Sequence, residues 1–268
     1  MLNSVSDFRF FRFAIALTLM GALTACATPP SGDADARAAY EEANDPFEPA
    51  NRMVFAANVM VDQLVLQPTA VTYRDLFPDD LKPPVENFIT NLFMPLSFLH
   101  ALLQGDMDRA ERAAARFFTA LPTLLLADTF PDEAPVFEDA GQTLATWGFE
   151  EGPYIMLPLL GPSSVRDTLG TVTDFFVDPV GIVADSEVTI GRAAGNAIVT
   201  RSRNLEQVRE LQRTSLDYYA AVRSLHRQQR AAKISNGAGT PVQSAPTIGL
   251  DLDSPSEDEG KKETAATK

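Results

Sequence analysis

The sequence predicts a mainly α protein carrying one small β-hairpin. Three observations support this. Apolar residues recur at helical spacing through most of residues 45–233. Prolines 68, 78, 83, 84, 95 and 122 cut that region into pieces of roughly two to four turns. One stretch, residues 141–160, leans to β structure instead.

Residues 1–25 read as a secretion signal. Arg9 and Arg12 precede an apolar run over residues 13–23, which ends Leu23-Thr24-Ala25-Cys26. The run is too short for the ~20 residues that span a bilayer. Its ending resembles the lipobox of bacterial lipoproteins, whose cysteine is acylated and becomes the first mature residue. Cys26 is the only cysteine in the chain, so lipidation also accounts for an unpaired thiol in an exported protein. Covalent lipid on Cys26 is the expected attachment, with no other cofactor. Ala27 follows, where lipoproteins kept in the inner membrane commonly carry Asp. That likeness points to the outer membrane, with the anchor in its inner leaflet on the periplasmic side. Residues 26–42 form a tether, and 43–234 the helical domain.

Within that domain, residues 52–66 carry Val54, Phe55, Val59, Val61, Leu64 and Val65 as an amphipathic helix. Pro83 and Pro84 open a helix near Val85; Pro95 breaks or kinks it, and Gly105 ends it. Asp106 caps the next helix, with Met107, Ala110, Ala114, Phe117, Phe118 and Leu121 on one face and Asp108, Arg112 and Arg116 on the other. Pro122 interrupts again before an apolar stretch, residues 123–127. No segment of the mature chain has 18 uninterrupted apolar residues, so none is expected to span a membrane as a simple helix. Two accounts of residues 85–127 compete: an ordinary core, or helices lying in the membrane plane.

Residues 141–149 and 154–160 are expected to pair as strands across the turn Glu150-Glu151-Gly152-Pro153, with Pro158 marking an edge. Ser163 or Ser164 then caps a helix starting near Val165. A lone hairpin is marginal in water, so it packs on helices or moves as a flap.

Residues 187–233 form a long helical segment with nine bases against four acids. It reads either as a solvated helix face or as a patch for lipid headgroups or an acidic partner. Residues 235–268 hold no aromatic residue and an acidic cluster at Glu257-Asp258-Glu259, the composition of a disordered tail.

Composition narrows the function. A formal charge of −14 argues against a nucleic-acid partner. One Cys and two His exclude a cysteine zinc site and an iron–sulfur cluster. Gly161-Pro162-Ser163-Ser164-Val165 is no nucleophile elbow, and no Walker loop or dinucleotide fingerprint occurs. His100, among Leu99, Ala101, Leu102 and Leu103, reads as a core or helix-flank histidine, and His226 as exposed. The chain is read as a non-enzyme.

Several ordered motifs carry a family resemblance. Asn44-Asp45-Pro46-Phe47-Glu48-Pro49-Ala50-Asn51-Arg52, followed by Phe55, resembles the opening of the MlaA (VacJ) lipoproteins. Asn87-Phe88, Asn91-Leu92, Pro95, Leu103-Gln104-Gly105-Asp106 and Arg116-Phe117 follow in order. Further on come Thr143-Leu144, Trp147-Gly148, Gly152-Pro153-Tyr154, Leu157-Pro158, Gly161-Pro162-Ser163, Arg166-Asp167 and Gly170, and finally Asp217-Tyr218, Arg223 and Arg230. The likeness implies a ring-like bundle of short amphipathic helices in the membrane plane. It implies a channel that removes mislocalised phospholipids from the outer leaflet, association with a trimeric outer-membrane porin, and delivery to a periplasmic phospholipid carrier. It places residues 141–170 beside the channel, with Arg166 and Asp167 for headgroup contact. Trp147, Gly148, Gly152, Pro153, Tyr154, Leu157 and Pro158 would form or shape a gate. A porin-bound structural lipoprotein and a phospholipase remain as alternatives. The chain departs from the family after Phe117: an Asn and a glycine run give way to Ala120-Leu121-Pro122-Thr123-Leu124-Leu125-Leu126-Ala127, implying a stiffer or differently shaped turn.

Overall fold

The computed structural model describes residues 43–236; the signal, Cys26, the tether up to residue 42 and residues 237–268 lie outside them. Helix α1, Glu48–Leu76, is longer than the sequence implied because it runs on through Pro68. A π turn at Asp62–Leu66 loosens the ladder just ahead of that proline, which sits in the first turn of the next α segment, where its missing N–H costs little. The continuous helix is long and apolar enough to cross a membrane by length and composition, although charged residues interrupt its apolar run.

Helix α2, Lys82–Gln104, starts ahead of Val85 with both prolines in its first turn and continues past Pro95, so the expected break is absent. Gly105 ends it at φ 78°, the left-handed conformation that favours glycine. Asp106 caps α3, Met107–Ala120, by accepting from the Arg109 N–H at 3.0 Å. The face that α3 buries differs from the expected one. Ala110, Ala113, Arg116 and Ala120 are buried, whereas Met107 and Phe118 are exposed. Arg116 explains the rotation: it pairs with Asp128 and donates to the carbonyls of Phe130 and Glu133, tying down the chain that follows.

The expected first strand is helix α4, Ala140–Thr146. Two local signals outweigh its β-leaning composition. Asp139 accepts from the Gln142 N–H, and Gly148, at φ 90°, closes the far end with Phe149 N–H donating to the Leu144 carbonyl. The hairpin lies one segment later, as β1 Tyr154–Leu157 paired antiparallel with β2 Gly161–Ser164. Ser164 then caps α5, Val165–Val177, as expected. Short α6, Pro179–Val183, precedes three helices rather than one long segment: α7 Ser186–Arg203, α8 Leu205–Thr214 and α9 Tyr218–Ile234.

Two apolar clusters hold these elements. Phe55, Tyr154, Met156, Val208, Tyr219 and Val222 join α1, the hairpin, α8 and α9. Ile89, Phe93, Met94, Ala113 and Val199 join α2, α3 and α7. Phe93 of one cluster and Val222 of the other both line one partly open cavity, so the protein is built around a space rather than around one core. Its outside is also apolar. On α5 and α6, Phe176 and Val183 are 71% and 89% exposed, and Met53, Leu64 and Val65 of α1 face outward too.

Candidate functional site

The cavity measures about 410 Å³ and is walled by α2, the hairpin, α5, α7 and α9. Leu96, Leu157, Leu160, Pro162 and Phe175 give it an apolar side. Asp139, Asp167, Asp174, Asp178, Arg192 and Arg230 give it a charged one. An amphipathic hollow of this kind suits a molecule with an acyl portion and a polar head.

Arg230, on the last helix, organises the charged side. Its Nη1 donates to Asp139 Oδ2 at 2.5 Å, and its Nη2 donates to Asp139 Oδ1 at 2.6 Å and Asp167 Oδ1 at 3.0 Å. One guanidinium thus joins the N-cap of α4 to the first turn of α5, a charge-assisted fork across 91 and 63 residues of chain. The close approach requires glycine. A Cβ on Gly141 would collide with Arg230 and lie 2.6 Å from Asp167 Oδ1, and one on Gly170 would lie 2.5 Å from the Gly141 nitrogen.

Asp174 holds the next layer. It accepts from the Ala140 N–H at 3.2 Å, and its Oδ1 lies 2.7 Å from His100 Nε2. His100 Nδ1 lies 3.0 Å from Thr143 Oγ1. The series of acid, imidazole and hydroxyl looks like a nucleophile relay, but the geometry opposes that use. Thr143 is buried, its hydroxyl donates to the Asp139 carbonyl at 3.1 Å, and the residue is not part of the cavity wall. His100 is the core histidine that its neighbours suggested, whereas His226, expected to be exposed, is partly buried on the cavity wall, 6.4 Å from the Tyr154 ring.

Within the basic segment, α8 presents a solvated face, with exposed Arg209 and Arg213 paired to Glu206 and Glu210 of the same helix, while the other arginines are matched across the fold. Arg192 pairs with Asp178 and donates to the Leu92 carbonyl at 2.9 Å. Arg201 makes a bidentate pair with buried Asp62 at 2.7 and 2.8 Å. Arg203 meets Glu86, Arg223 meets Asp45, and Arg227 meets Glu151. Charges that look like a surplus along the chain are matched across the fold, where burial requires each to have a partner.

Of the candidate site residues, Leu157 and Asp167 line the cavity. Arg166 donates to the Phe149 carbonyl at 3.2 Å and lies 3.4 Å from Asp167, joining the hairpin approach to α5. Trp147 donates from Nε1 to the Leu103 carbonyl at 3.0 Å, fastening the end of α4 to the end of α2. Gly148 and Gly152 both have positive φ, and a Cβ on Gly152 would press on Val165 at 3.1 Å. Pro153 accepts from the Val165 N–H at 3.1 Å, and Tyr154 is buried in the hairpin cluster, its phenol pKa pushed up by burial. Pro158 lies in the hairpin turn, its carbonyl 2.8 Å from the Leu160 nitrogen. Sequence reasoning missed Asp139, Asp174 and Asp178, whose only local sign was their place ahead of or within short helices.

A family model described as MlaA lipoprotein matches residues 43–233. The intermembrane phospholipid transport system lipoprotein MlaA of Escherichia coli K12 is 32% identical over 213 residues, covering 76% of this chain and 83% of that protein. Its namesake in Haemophilus influenzae is 26% identical over 206 residues, covering 73% and 81%. An uncharacterised protein of Rickettsia typhi is 32% identical over 198 residues, covering 71% and 78%. A solved structure that describes the structural basis for maintenance of bacterial outer membrane lipid asymmetry superposes with a TM-score of 0.63 at 30% identity, over 71% of this chain and 98% of that one. With a family model spanning nearly the whole folded part and relatives above 30% identity, the chain belongs to the MlaA lipoprotein family.

Proposed function

We propose that this protein takes mislocalised phospholipids out of the outer leaflet of the outer membrane and passes them inward through its cavity, maintaining lipid asymmetry. The observation that carries this reading is the amphipathic cavity inside a helical shell whose outer surface is itself apolar. The Escherichia coli relative is named for phospholipid transport, and the superposed structure for lipid asymmetry. The family consists of transport lipoproteins, and the chain is not an enzyme. Sorting lipid by an apolar exterior and a polar lining needs no bond chemistry and no nucleotide.

Acylation of Cys26 would hold the domain in the inner leaflet on the periplasmic side, and exposed α1 and α5–α6 faces would sit among acyl chains. A trimeric porin in the membrane and a soluble periplasmic carrier are the partners this placement calls for. In that setting the hairpin tip, Pro158 to Leu160, is the candidate gate, because Leu157 and Leu160 border the cavity. The deciding measurement is outer-leaflet phospholipid in a deletion strain, which is expected to rise and to fall again on complementation; an unchanged level would refute transport. Cys26→Ser should abolish fatty-acid labelling, and persistent label on that variant would remove the anchor.

A further inference from the structure

The cavity wall offers more to a cation than to an anion. Four carboxylates line it, Asp139, Asp167, Asp174 and Asp178, against three fixed cations, Arg192, Arg230 and Lys233. Every one of those cations is engaged: Arg192 by Asp178, Arg230 by Asp139 and Asp167, and Lys233 within the protein as well. Three of the carboxylates are likewise filled. Asp139 gives both oxygens to Arg230; Asp174 accepts from Ala140 N–H and faces His100; Asp178 accepts from Val180 N–H and pairs with Arg192.

Asp167 is different. Its Oδ1 takes Arg230 at 3.0 Å and lies 3.4 Å from Arg166 Nε, while its Oδ2 has no hydrogen-bond partner, although the residue is only 8% exposed. A buried ionised oxygen without a donor is unfavourable, and a donor brought in by a ligand would relieve it. A phosphate, by contrast, finds no cation on this wall that is not already held.

We propose that the cavity selects phospholipids whose headgroup bears a primary ammonium over lipids of net negative headgroup, with Asp167 as the specificity-determining residue. This rests on the transport reading above. The zwitterionic headgroup brings its own cation to match its phosphate and places N–H donors against Asp167. A quaternary ammonium carries the charge without any N–H, and a glycerol headgroup carries neither the charge nor a counterion for its phosphate.

The test uses the full-length lipidated protein in detergent, exposed to vesicles of equimolar phosphatidylethanolamine, phosphatidylcholine and phosphatidylglycerol with identical acyl chains. Co-eluting lipid is then quantified by mass spectrometry. The wild-type protein should retain the ethanolamine lipid over the glycerol lipid by roughly tenfold, the scale of one charge-assisted hydrogen bond, with the choline lipid between them. Asp167→Asn should flatten that ratio, and Asp167→Glu should keep it. Soluble glycerophosphoethanolamine should compete only weakly, because a headgroup without chains leaves the apolar wall empty. Retention in vesicle proportions, or preference for the glycerol lipid, would overturn the proposal while leaving transport intact. Choline lipid retained equally with ethanolamine lipid would overturn the role of the N–H donor. Protein that retains no phospholipid would overturn the transport reading and this one together. The wild-type arm decides the headgroup preference even if the Asn variant does not fold, and loss of that preference in a folded Asp167→Ala protein then tests the carboxylate.

Discussion

Two irregular segments of this protein are each held by a pair of asparagines on a neighbouring helix, and they are held differently. On α1, Asn51 and Asn58 stand two turns apart along the edge of β1. Asn51 donates to the Tyr154 carbonyl at 3.1 Å and accepts from the Met156 N–H at 2.9 Å. Asn58 repeats the pattern with the Leu157 carbonyl at 2.9 Å and the Leu159 N–H at 2.8 Å. Each amide does for the edge what a third strand would do. On α2, Asn87 and Asn91 hold the turn after α3, but only by donating: Asn91 to the carbonyls of Leu125 and Ala127 at 2.9 and 3.2 Å, Asn87 to that of Leu126 at 3.1 Å. Asn91 Oδ1 is buried without a partner, and Leu124 and Leu125 have φ of 57° and 66°. The edge of β1 is therefore met in both directions by its asparagines, although the Tyr154 hydroxyl is buried without a partner and Leu159 in the hairpin turn has φ 64°, whereas the turn after α3 is held by donation alone and carries two such leucines. A polar edge inside an apolar shell is affordable only where the amide can both give and accept.

The comparison can be broken most directly at Asn51. Asn51→Ala strips partners from the Tyr154 carbonyl, the Met156 N–H and Asp45, all at a buried site, and should lower stability by about 3 kcal/mol. Thermal or urea unfolding in detergent measures it; a loss under about 1 kcal/mol would mean that packing alone fixes the hairpin.

Alkaline pH should loosen the hairpin side next. Burial pushes the Tyr218 phenol up to about 12, and burial likewise raises Tyr154 and Tyr219, the latter helped by its hydrogen bond to Asp45. Unfolded tyrosine titrates near 10, so this stabilisation is complete below about pH 10 and is lost as pH climbs towards 12 and beyond, where the unfolded chain releases protons first. Tyrosinate absorbance should rise together with unfolding rather than ahead of it. Early, separate titration of these phenols would show the hairpin cluster to be open.

Asn91→Ala is expected to cost less than Asn51→Ala, about 1–2 kcal/mol, since one of its own polar atoms is already unmet. Equal losses at the two sites would erase the distinction drawn here. The smallest effect runs the other way. Leu124 is 75% exposed, so Leu124→Gly removes little packing and relieves left-handed strain, and should stabilise by about 0.5–1 kcal/mol after the entropy of the added glycine. A destabilised Leu124→Gly protein would mean that the exposed leucine makes contacts the fold needs.

What could be read along the chain was local. The Gly105 stop, the Asp106 and Ser164 caps and the burial of His100 each depend on neighbours within a few residues, where backbone geometry and apolar context act directly. The family motifs were legible for the same reason, as contiguous residues. Even the misplaced strand had a local sign, since Asp139 and Gly148 bracket α4 as its cap and stop.

Other features depended on partners far away in sequence. Pro68 looked like an end, but the π turn absorbs it, and the same turn carries Asp62, whose partner Arg201 lies 139 residues on. The arginines of the last three helices looked like one basic patch, because a linear reading cannot see that Arg192, Arg201, Arg203, Arg223 and Arg230 take their carboxylates from other segments of the chain. The cavity was equally hidden. Its charged side takes residues from the approach to α4, from α5 and from α9, and the unmatched Asp167 oxygen exists only because Arg230 reaches one side of that carboxylate and nothing reaches the other. Sequence determined the caps and stops at Gly105, Asp106 and Ser164, because capping is a short-range interaction. Tertiary structure alone decided which charges are matched, because burial makes pairing obligatory without fixing how far along the chain the partner lies.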